Sequence, residues 1–333
     1  MNRMDFNQAV MRVKVLEKRL LTKSRMERMV EASDINDVIK ILGETEYQYS
    51  LGLASKPEEY EKILSGEMRR VYALIKELTG EKVISELLSK KYDYHNLKVL
   101  LKENFLGTDL SRLYISYGSG DFSRVKNAYL SENFEGIDEK IVEALKVATE
   151  DFETTKDPQR IDIIIDRYYF RNLLQLAQGT KIPLFEDYVR DVIDFTNMRT
   201  LIRVKKVDKD QNFLDEVLLD GGSISKEKIY FALKSSLEEI QEAFKDEKIG
   251  TELIKGLETF KKTGSLSDYE KIMDNSLMKL HEPSRTAIFG PEPIFSYLYA
   301  KEAEIKALRI VMVSKINKLS PETIRERLRD LYV

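Results

Sequence analysis

The 333-residue sequence predicts an all-α protein made of three similar helical domains. Apolar residues recur with the helical period, and the alternating pattern of a β-strand is nowhere sustained. One ten-residue phrase occurs three times, about a hundred residues apart. The charged fraction of 33% also fits a helix-rich protein, because outward helix faces need many solvated positions.

The repeated phrase is DYHNLKVLLK at residues 93–102, DFTNMRTLIR at 194–203 and EIKALRIVMV at 304–313. The first two copies align without a gap and share an Asp, an Asn and a basic residue at the first, fourth and sixth positions. The third copy has Glu and Ala in place of the Asp and the Asn and keeps an Arg. The phrase therefore predicts three helical units of about 100 residues.

The length of this period indicates how the units assemble. Solenoid repeats run to roughly 20–50 residues, so domain-sized copies favour closure around a pseudo-threefold axis. A second pair of similar segments, KIVEALK at 140–146 and KIYFALK at 228–234, supports the same frame. More residues follow KIYFALK within its unit than follow KIVEALK within its own, which predicts an insertion at 246–264. We therefore predict three helical repeat domains at residues 1–112, 113–212 and 213–333.

Individual helices are marked by their capping residues. In SDINDVIKILGETEY, Ser33 or Asp34 is the expected N-cap, and Gly43 is expected to end the helix in the left-handed conformation. In SPETIRERLRDLYV, Ser320 is the expected N-cap and Pro321 the first helical residue. The clearest turn signals are SYGSGDF at 116–122, DPQ at 157–159, LDGGS at 219–223 and HEPSRTAIFGPEP at 281–293.

The phrase encodes a helix with one buried face. At 100° per residue, Leu97, Leu100 and Leu101 share a side that is expected to face the core, whereas Lys98 and Lys102 point away from it. The plain structural interpretation is that the Asp caps, the Asn bonds a neighbouring helix and the basic residues are solvated.

No catalytic or metal-binding motif is complete in the sequence. The absence of Cys excludes disulfides and thiolate metal sites. His281 begins a zinc-protease-like motif that lacks its second His, and His95 is expected to be a partly exposed helix residue. A calcium-loop pattern from Asp208 fails because Phe213 and Leu219 stand where Gly and Glu are required. We expect no cofactor, no metal and, without a phosphate-binding loop, no nucleotide hydrolysis.

Charge is balanced overall but not locally. The net charge of −3 gives no global bias toward nucleic acid. Residues 11–29 are rich in Lys and Arg and carry an apolar stripe of Val13, Leu16 and Leu20. A basic amphipathic helix of this kind binds anionic surfaces or docks by its stripe with a solvated outer face. No signal peptide or membrane-spanning segment is recognised, so we expect a soluble protein.

The C-terminal segment carries a resemblance to a known family. FGPEPIFSYLYAKEAEIKALRIVMVSKINKLSPETIRERLRDLYV at 289–333 resembles the signature of the C subunits of bacterial and archaeal V/A-type ATPases, the counterparts of the d subunit of the eukaryotic V-ATPase. KYDYHNLKVLLK and SDINDVIKILGETEYQ look like the first-repeat phrase and an early helix of that family. The resemblance therefore covers the full length.

The resemblance implies a funnel-shaped protein with a central socket. It implies a non-catalytic central-stalk adaptor that links the D and F subunits of the stalk to the proteolipid rotor ring and transmits torque for proton or sodium transport. Such a protein is peripheral, on the cytoplasmic side of the membrane. The candidate partner-binding residues near the beginnings of the repeat helices are Asp93, Asn96, Asp194, Asn197, Glu304 and Arg309.

Two other function classes stay open. The first is a helical scaffold that binds nucleic acid or a lipid surface through the basic N-terminal helix, and salt-sensitive binding by the isolated protein would favour it. The second is a helical enzyme whose acid and base meet across domains, which an enclosed pocket with perturbed carboxylates would favour.

Overall fold

A computed structural model describes residues 3–80 and 82–333. Within these ranges the chain is helical, without a β-strand, which confirms the predicted all-α class. The α-helices of the described ranges are α1 (Asn7–Glu17), α2 (Lys23–Glu31), α3 (Ile35–Leu42), α4 (Tyr60–Thr79), α5 (Val83–Leu106), α6 (Phe122–Leu130), α7 (Glu139–Thr155), α8 (Pro158–Thr180), α9 (Pro183–Lys206), α10 (Gln211–Val217), α11 (Lys226–Lys234), α12 (Leu237–Phe244), α13 (Gly250–Thr263), α14 (Leu266–Leu280), α15 (Glu292–Ile316) and α16 (Pro321–Arg327).

The chain divides into two compact units by its internal packing. Unit 1 comprises Met1–Leu88 and Asp274–Val333, and unit 2 comprises Ser89–Met273. Both chain ends therefore belong to unit 1. The division into three domains after residues 112 and 212, with its pseudo-threefold arrangement, stays a prediction.

The core of unit 2 is built on the first copy of the phrase. Leu97 and Leu101 of α5 pack in one buried cluster with Ala144 and Leu145 of α7 and Ile161 of α8. Each leucine is at most 1% exposed, and burying such a side chain stabilises the fold by about 1.5–3 kcal/mol. This confirms the apolar face that the phrase predicts.

Unit 1 is organised around α15. Every residue from 293 to 301 is buried, so the N-terminal third of the helix is enclosed on all sides. Within the unit, α15 contacts α1, α2, α3, α4 and α16. The third copy of the phrase therefore also lies in a core helix.

The capping predictions are confirmed at the starts of two helices. The Asp34 side chain accepts two backbone hydrogen bonds at the start of α3, and Ser320 accepts one at the start of α16, where Pro321 is the first residue. The left-handed end at Gly43 is wrong, since its φ is −61°. The chain needs no reversal there, because it continues through right-handed turns into the 3₁₀ helix Glu46–Leu53.

The predicted insertion at 246–264 contains α13. The predicted equivalence of KIVEALK and KIYFALK, however, is wrong. KIVEALK lies in α7, the second helix after the turn at 116–122, whereas KIYFALK lies in α11, the first helix after the turn at 219–223. Short amphipathic helices share apolar spacing whether or not they are equivalent, which explains the misleading match.

The basic N-terminal segment is two helices rather than one. Helix α1 ends at Glu17 and α2 begins at Lys23. The stripe of Val13, Leu16 and Leu20 is buried, at most 4% exposed. The segment therefore packs against the rest of unit 1 through its apolar stripe, which is one of the two predicted interpretations.

Candidate functional site

The Asn of the phrase binds the backbone of a loop that follows its helix. Asn96 Nδ2 donates to the carbonyl of Ile115 and its Oδ1 accepts the Ile115 N–H, both at 2.8 Å. Asn197 makes the same two bonds with Leu219, at 2.9 and 2.8 Å. Both Asn side chains are at most 2% exposed. A side-chain amide thus closes each loop onto its helix as a backbone partner would.

The Asp of the phrase holds the next turn of the same loop. Asp93 accepts the backbone N–H groups of Ser119 and Gly120, at 3.1 and 3.4 Å. Asp194 accepts those of Ser223 and Ile224, at 2.8 and 3.2 Å. Burial raises the pKa of both carboxyl groups, that of Asp194 to about 6, against the lowering effect of these hydrogen bonds.

A glycine allows each Asp to approach its loop. A Cβ atom at Gly118 would overlap Oδ1 of Asp93, and one at Gly222 would overlap Oδ1 of Asp194. The loops ISYGSG at 115–120 and LDGGSI at 219–224 are therefore a second repeated element. Its role is to receive the Asp of the phrase, so it can be recognised only together with the phrase.

The third copy is completed by the N-terminal segment. Glu304 stands at the Asp position and accepts the backbone N–H of Leu21, which precedes α2. In the first two copies, the corresponding loop likewise precedes a nine-residue helix, α6 or α11. Helix α2 also has nine residues. Residues just before α2 thus take, at the third copy, the place that the loop after the phrase takes in the first two copies.

Glu304 also belongs to a buried charge network. It accepts a hydrogen bond from Tyr47 Oη at 2.8 Å and from Lys301 Nζ at 2.7 Å. Glu67 lies 3.4 Å from the same Lys301 Nζ. Burial alone would lower the pKa of Lys301, but the two carboxylates outweigh it and raise the pKa above its ordinary value. The lysine is therefore a buried ammonium held by opposite charges.

The basic residue at the sixth position makes an equivalent ion pair in each copy. Lys98 lies 2.7 Å from Asp166 of α8, and Arg199 lies 3.3 Å from Glu270 of α14. Arg309 lies 2.6 Å from Glu61 of α4. Lys102 adds a second pair with Asp162 at 2.7 Å. These side chains point away from the core as predicted, but they are paired rather than freely solvated.

Three of these pairs contribute residues to an open cleft in unit 2, between α5, α8, α9 and α10: Lys98 and Asp166, Asp162, and Arg199. Its volume is about 790 Å³. Apolar residues form part of the lining, among them Ile163, Phe170, Val204, Phe213 and Val217. At one side stands Arg203, exposed and without an ion pair to any described residue. The cleft thus combines apolar surface, charged side chains of three ion pairs and the cation of Arg203, unpaired among the described residues.

The comparison with protein families identifies the architecture. The sequence profile of the family described as ATP synthase (C/AC39) subunit matches residues 9–327. The chain belongs to this family. The C subunit of the V-type sodium ATPase of Enterococcus hirae is 26% identical to it over 99% of both chains. The C subunit of the A-type ATP synthase of Methanocaldococcus jannaschii is 23% identical over 96% of this chain and 85% of its own length.

Membership of the C/AC39 family confirms the resemblance seen in the sequence and defines the protein class. The chain is an accessory subunit of a V/A-type ATPase rather than a catalytic one. Across residues 3–80 and 82–333, no helix is long and apolar enough to cross a bilayer. The same residues include no cluster of His, Asp and Glu suited to a metal ion. His281 is buried, and burial lowers its pKa to about 3.

The structure puts the six candidate residues of this C/AC39 family member in two environments. Asp93, Asn96, Asp194, Asn197 and Glu304 are buried, at most 9% exposed, and each is hydrogen-bonded within the chain. These side chains hold other segments of the chain, but not as predicted. They lie well inside their helices rather than near the beginnings, the Asp does not cap its helix, and the Asn bonds loop backbone rather than a neighbouring helix. Only the sixth, Arg309, reaches the surface. Their role toward a partner stays a prediction, and burial makes an indirect role the only one open to the first five.

Sequence reasoning missed the cleft of this C/AC39 family member. Several of the residues that line it belong to the phrase, among them His95, Lys98, Thr200 and Arg203 at its third, sixth, seventh and tenth positions. His95 Nε2 lies 3.0 Å from the carbonyl of Leu113, so it also helps to hold the segment after α5. The available signal was the outward face of the helix. Its sixth position is basic in every copy, but a search for shared residues passes over the third and seventh positions, whose residue types differ between copies.

Proposed function

We propose that the protein is the non-catalytic adaptor between the central stalk and the membrane rotor ring of a V/A-type ATPase. In this role it transmits torque that couples ATP turnover to proton or sodium transport. Its partners are the D and F subunits of the stalk on one side and the proteolipid ring on the other. The protein lies peripherally at the cytoplasmic face of the membrane.

The observation that carries the proposal is the connectivity of the three ion pairs. The cation of α5 pairs with α8, which precedes the second phrase helix, and the cation of α9 pairs with α14, which precedes the third. The cation of α15 pairs with α4, which precedes the first. This cyclic order supports three domains, 1–112, 113–212 and 213–333, closed into a funnel around a pseudo-threefold axis.

A closed ring of helices suits torque transmission for a physical reason. A rotor adaptor is loaded by two non-covalent interfaces and must not yield at a chain end. In this chain, the N-terminal segment is bonded to Glu304 and α16 contacts α2, so these segments are tied together within unit 1. Closure shares the load among all three helix-packed copies.

The cleft in unit 2 is our candidate for the surface that receives the stalk. Its apolar lining offers area for packing, and charged residues at its border fix register and orientation more than they add affinity. Arg203 supplies a positive charge that is not neutralised within the described chain. A stalk end with apolar and acidic side chains would match this surface.

The natural absence of Cys permits a direct cross-linking experiment. Val207→Cys puts one thiol in the cleft, where Val207 is 60% exposed. In the assembled complex, a maleimide photo-cross-linker on this thiol should join the chain to a protein of the central stalk. The matched control is Val147→Cys, at another exposed valine that lies outside the cleft. This variant should give no cross-link to the stalk. Assembled complex that yields no stalk adduct from position 207 would remove the cleft from the proposal.

A further inference from the structure

The outer face of α1, the short 3₁₀ helix before it (Arg3–Phe6) and the loop before α15 carry exposed apolar side chains. Met4 and Met11 are 64% and 72% exposed, and Ile288 and Phe289 are 72% and 50% exposed. Val15 lies one turn after Met11 on the same side of α1 and is also exposed. We call these five residues the N-terminal strip. Large apolar side chains clustered at such exposure mark an interaction surface rather than ordinary surface scatter.

Specific contacts hold the two parts of the strip together. Arg3 lies 2.6 Å from Glu292 and its guanidinium stands 5.9 Å from the ring centre of Phe289. At the other end of α1, Lys14 Nζ donates to the carbonyls of Ser284 and Arg285 at 3.0 and 2.9 Å. The loop region is therefore fastened to the segment before α1 and to the last turns of α1, so the exposed apolar side chains lie on neighbouring segments of unit 1.

Positive charge flanks the strip. Arg12 and Lys18 lie on either side of Met11 and Val15 on the helical wheel, and neither makes an ion pair with a described residue. Two of the neighbouring acidic side chains are already neutralised, since Glu17 lies 2.9 Å from Lys14 and Glu292 is paired with Arg3. The other acidic residues of these segments are Asp5, beside Met4, and Glu282, in the loop. The surface thus offers apolar side chains and two available cations.

We infer that the N-terminal strip docks on the anionic surface of a lipid bilayer. Exposed Met, Val, Ile and Phe side chains bordered by Arg and Lys have the composition of an interfacial membrane contact. The opposite face of α1 is buried in unit 1, so the helix lies along the membrane surface and does not insert deeply. On the outward face, basic residues lie near the lipid headgroups and apolar side chains lie at the boundary of the acyl chains. Electrostatic attraction and apolar burial therefore favour the same orientation of the protein on the membrane. This contact does not depend on the torque-transmitting role.

The test is sedimentation of the full chain with sucrose-loaded vesicles. We expect binding to vesicles of phosphatidylcholine with about 30% phosphatidylserine, salt-sensitive because the attraction is screened within a Debye length. Arg12→Gln with Lys18→Gln should weaken partitioning about 25-fold, from roughly fivefold for each cation removed. Met11→Asp should weaken it about tenfold through loss of apolar burial.

Matched variants elsewhere separate the strip from general charge and hydrophobicity. Lys262→Gln and Phe231→Asp alter exposed residues of unit 2 and should leave partitioning unchanged. Circular dichroism melting checks that each variant is folded. Equal binding to pure phosphatidylcholine, or strip variants that bind like the wild type, would overturn the inference. Absence of vesicle binding together with strip-dependent capture of the solubilised rotor ring would assign the surface to a protein partner instead.

Discussion

Asn197 and Leu219 exchange two hydrogen bonds, at 2.9 and 2.8 Å, between a buried side-chain amide and both backbone polar groups of one residue. Asn96 and Ile115 make the same exchange in the first copy. The repeated Asn therefore serves the loop after its helix, and its position in the phrase is explained by that loop.

Replacing this Asn should destabilise unit 2. Asn197→Ala leaves the buried N–H and C=O of Leu219 without their partner, which costs about 2–4 kcal/mol for the two groups. Urea unfolding measures the loss. Asn212→Ala, at an exposed position of α10, should change stability by less than about 0.5 kcal/mol. Equal effects of the two substitutions would contradict the clamp.

The loop glycines give a second prediction with an internal control. Gly222→Ala forces the new methyl group against Asp194 and should lower the melting temperature. Gly179→Ala lies in α8 with open space around it and should raise stability by up to about 1 kcal/mol, since Ala favours helix. The thermal melting curves of the two variants test this prediction. A Gly222→Ala variant as stable as the wild type would show that the loop can move away from Asp194.

Asp194 predicts a pH-dependent stability. Its pKa is raised by burial to about 6 from 3.8, so the folded state binds the proton more tightly than the unfolded state does. This contribution is fully present below about pH 4 and is lost as the pH rises through 6. The wild type should therefore gain on the order of 1–2 kcal/mol relative to Asp194→Asn between pH 7 and pH 5. Parallel urea curves at the two pH values test this, and a constant difference would refute it.

The buried lysine of α15 should be far more sensitive than an exposed one on the same helix. Lys301→Met leaves Glu304 buried without its cation, which costs about 3–5 kcal/mol, whereas Glu67 keeps its pair with Arg70. Lys306→Met breaks an exposed pair with Asp274 and should cost less than about 1 kcal/mol. Thermal unfolding of both variants provides the comparison. Similar losses would mean that the carboxylates take up protons or rearrange.

Arg309 offers a test of coupling that rests on the proposed function. Arg309→Glu places a second negative charge beside Glu61 and replaces attraction by repulsion at this contact. In reconstituted complex it should therefore lower ion transport more than ATP hydrolysis. The double variant Arg309→Glu with Glu61→Arg restores opposite charges and should recover transport. If an assembled Arg309→Glu complex couples normally, this pair has no part in torque transmission. Loss of assembly without loss of folding would place the pair at a partner interface.

The sequence by itself determined the helical class, the register of the repeated phrase and the family of the protein. These properties follow from local periodicity and from side chains that the chain repeats, such as Leu97, Leu101 and the Asp and Asn beside them. The tertiary structure alone decided what the repeated polar residues do. Asp194 meets a loop 29 residues later, and Glu304 meets Leu21, 283 residues earlier. No local pattern encodes such partners, because burial and hydrogen bonding at these sites arise only when distant segments pack together.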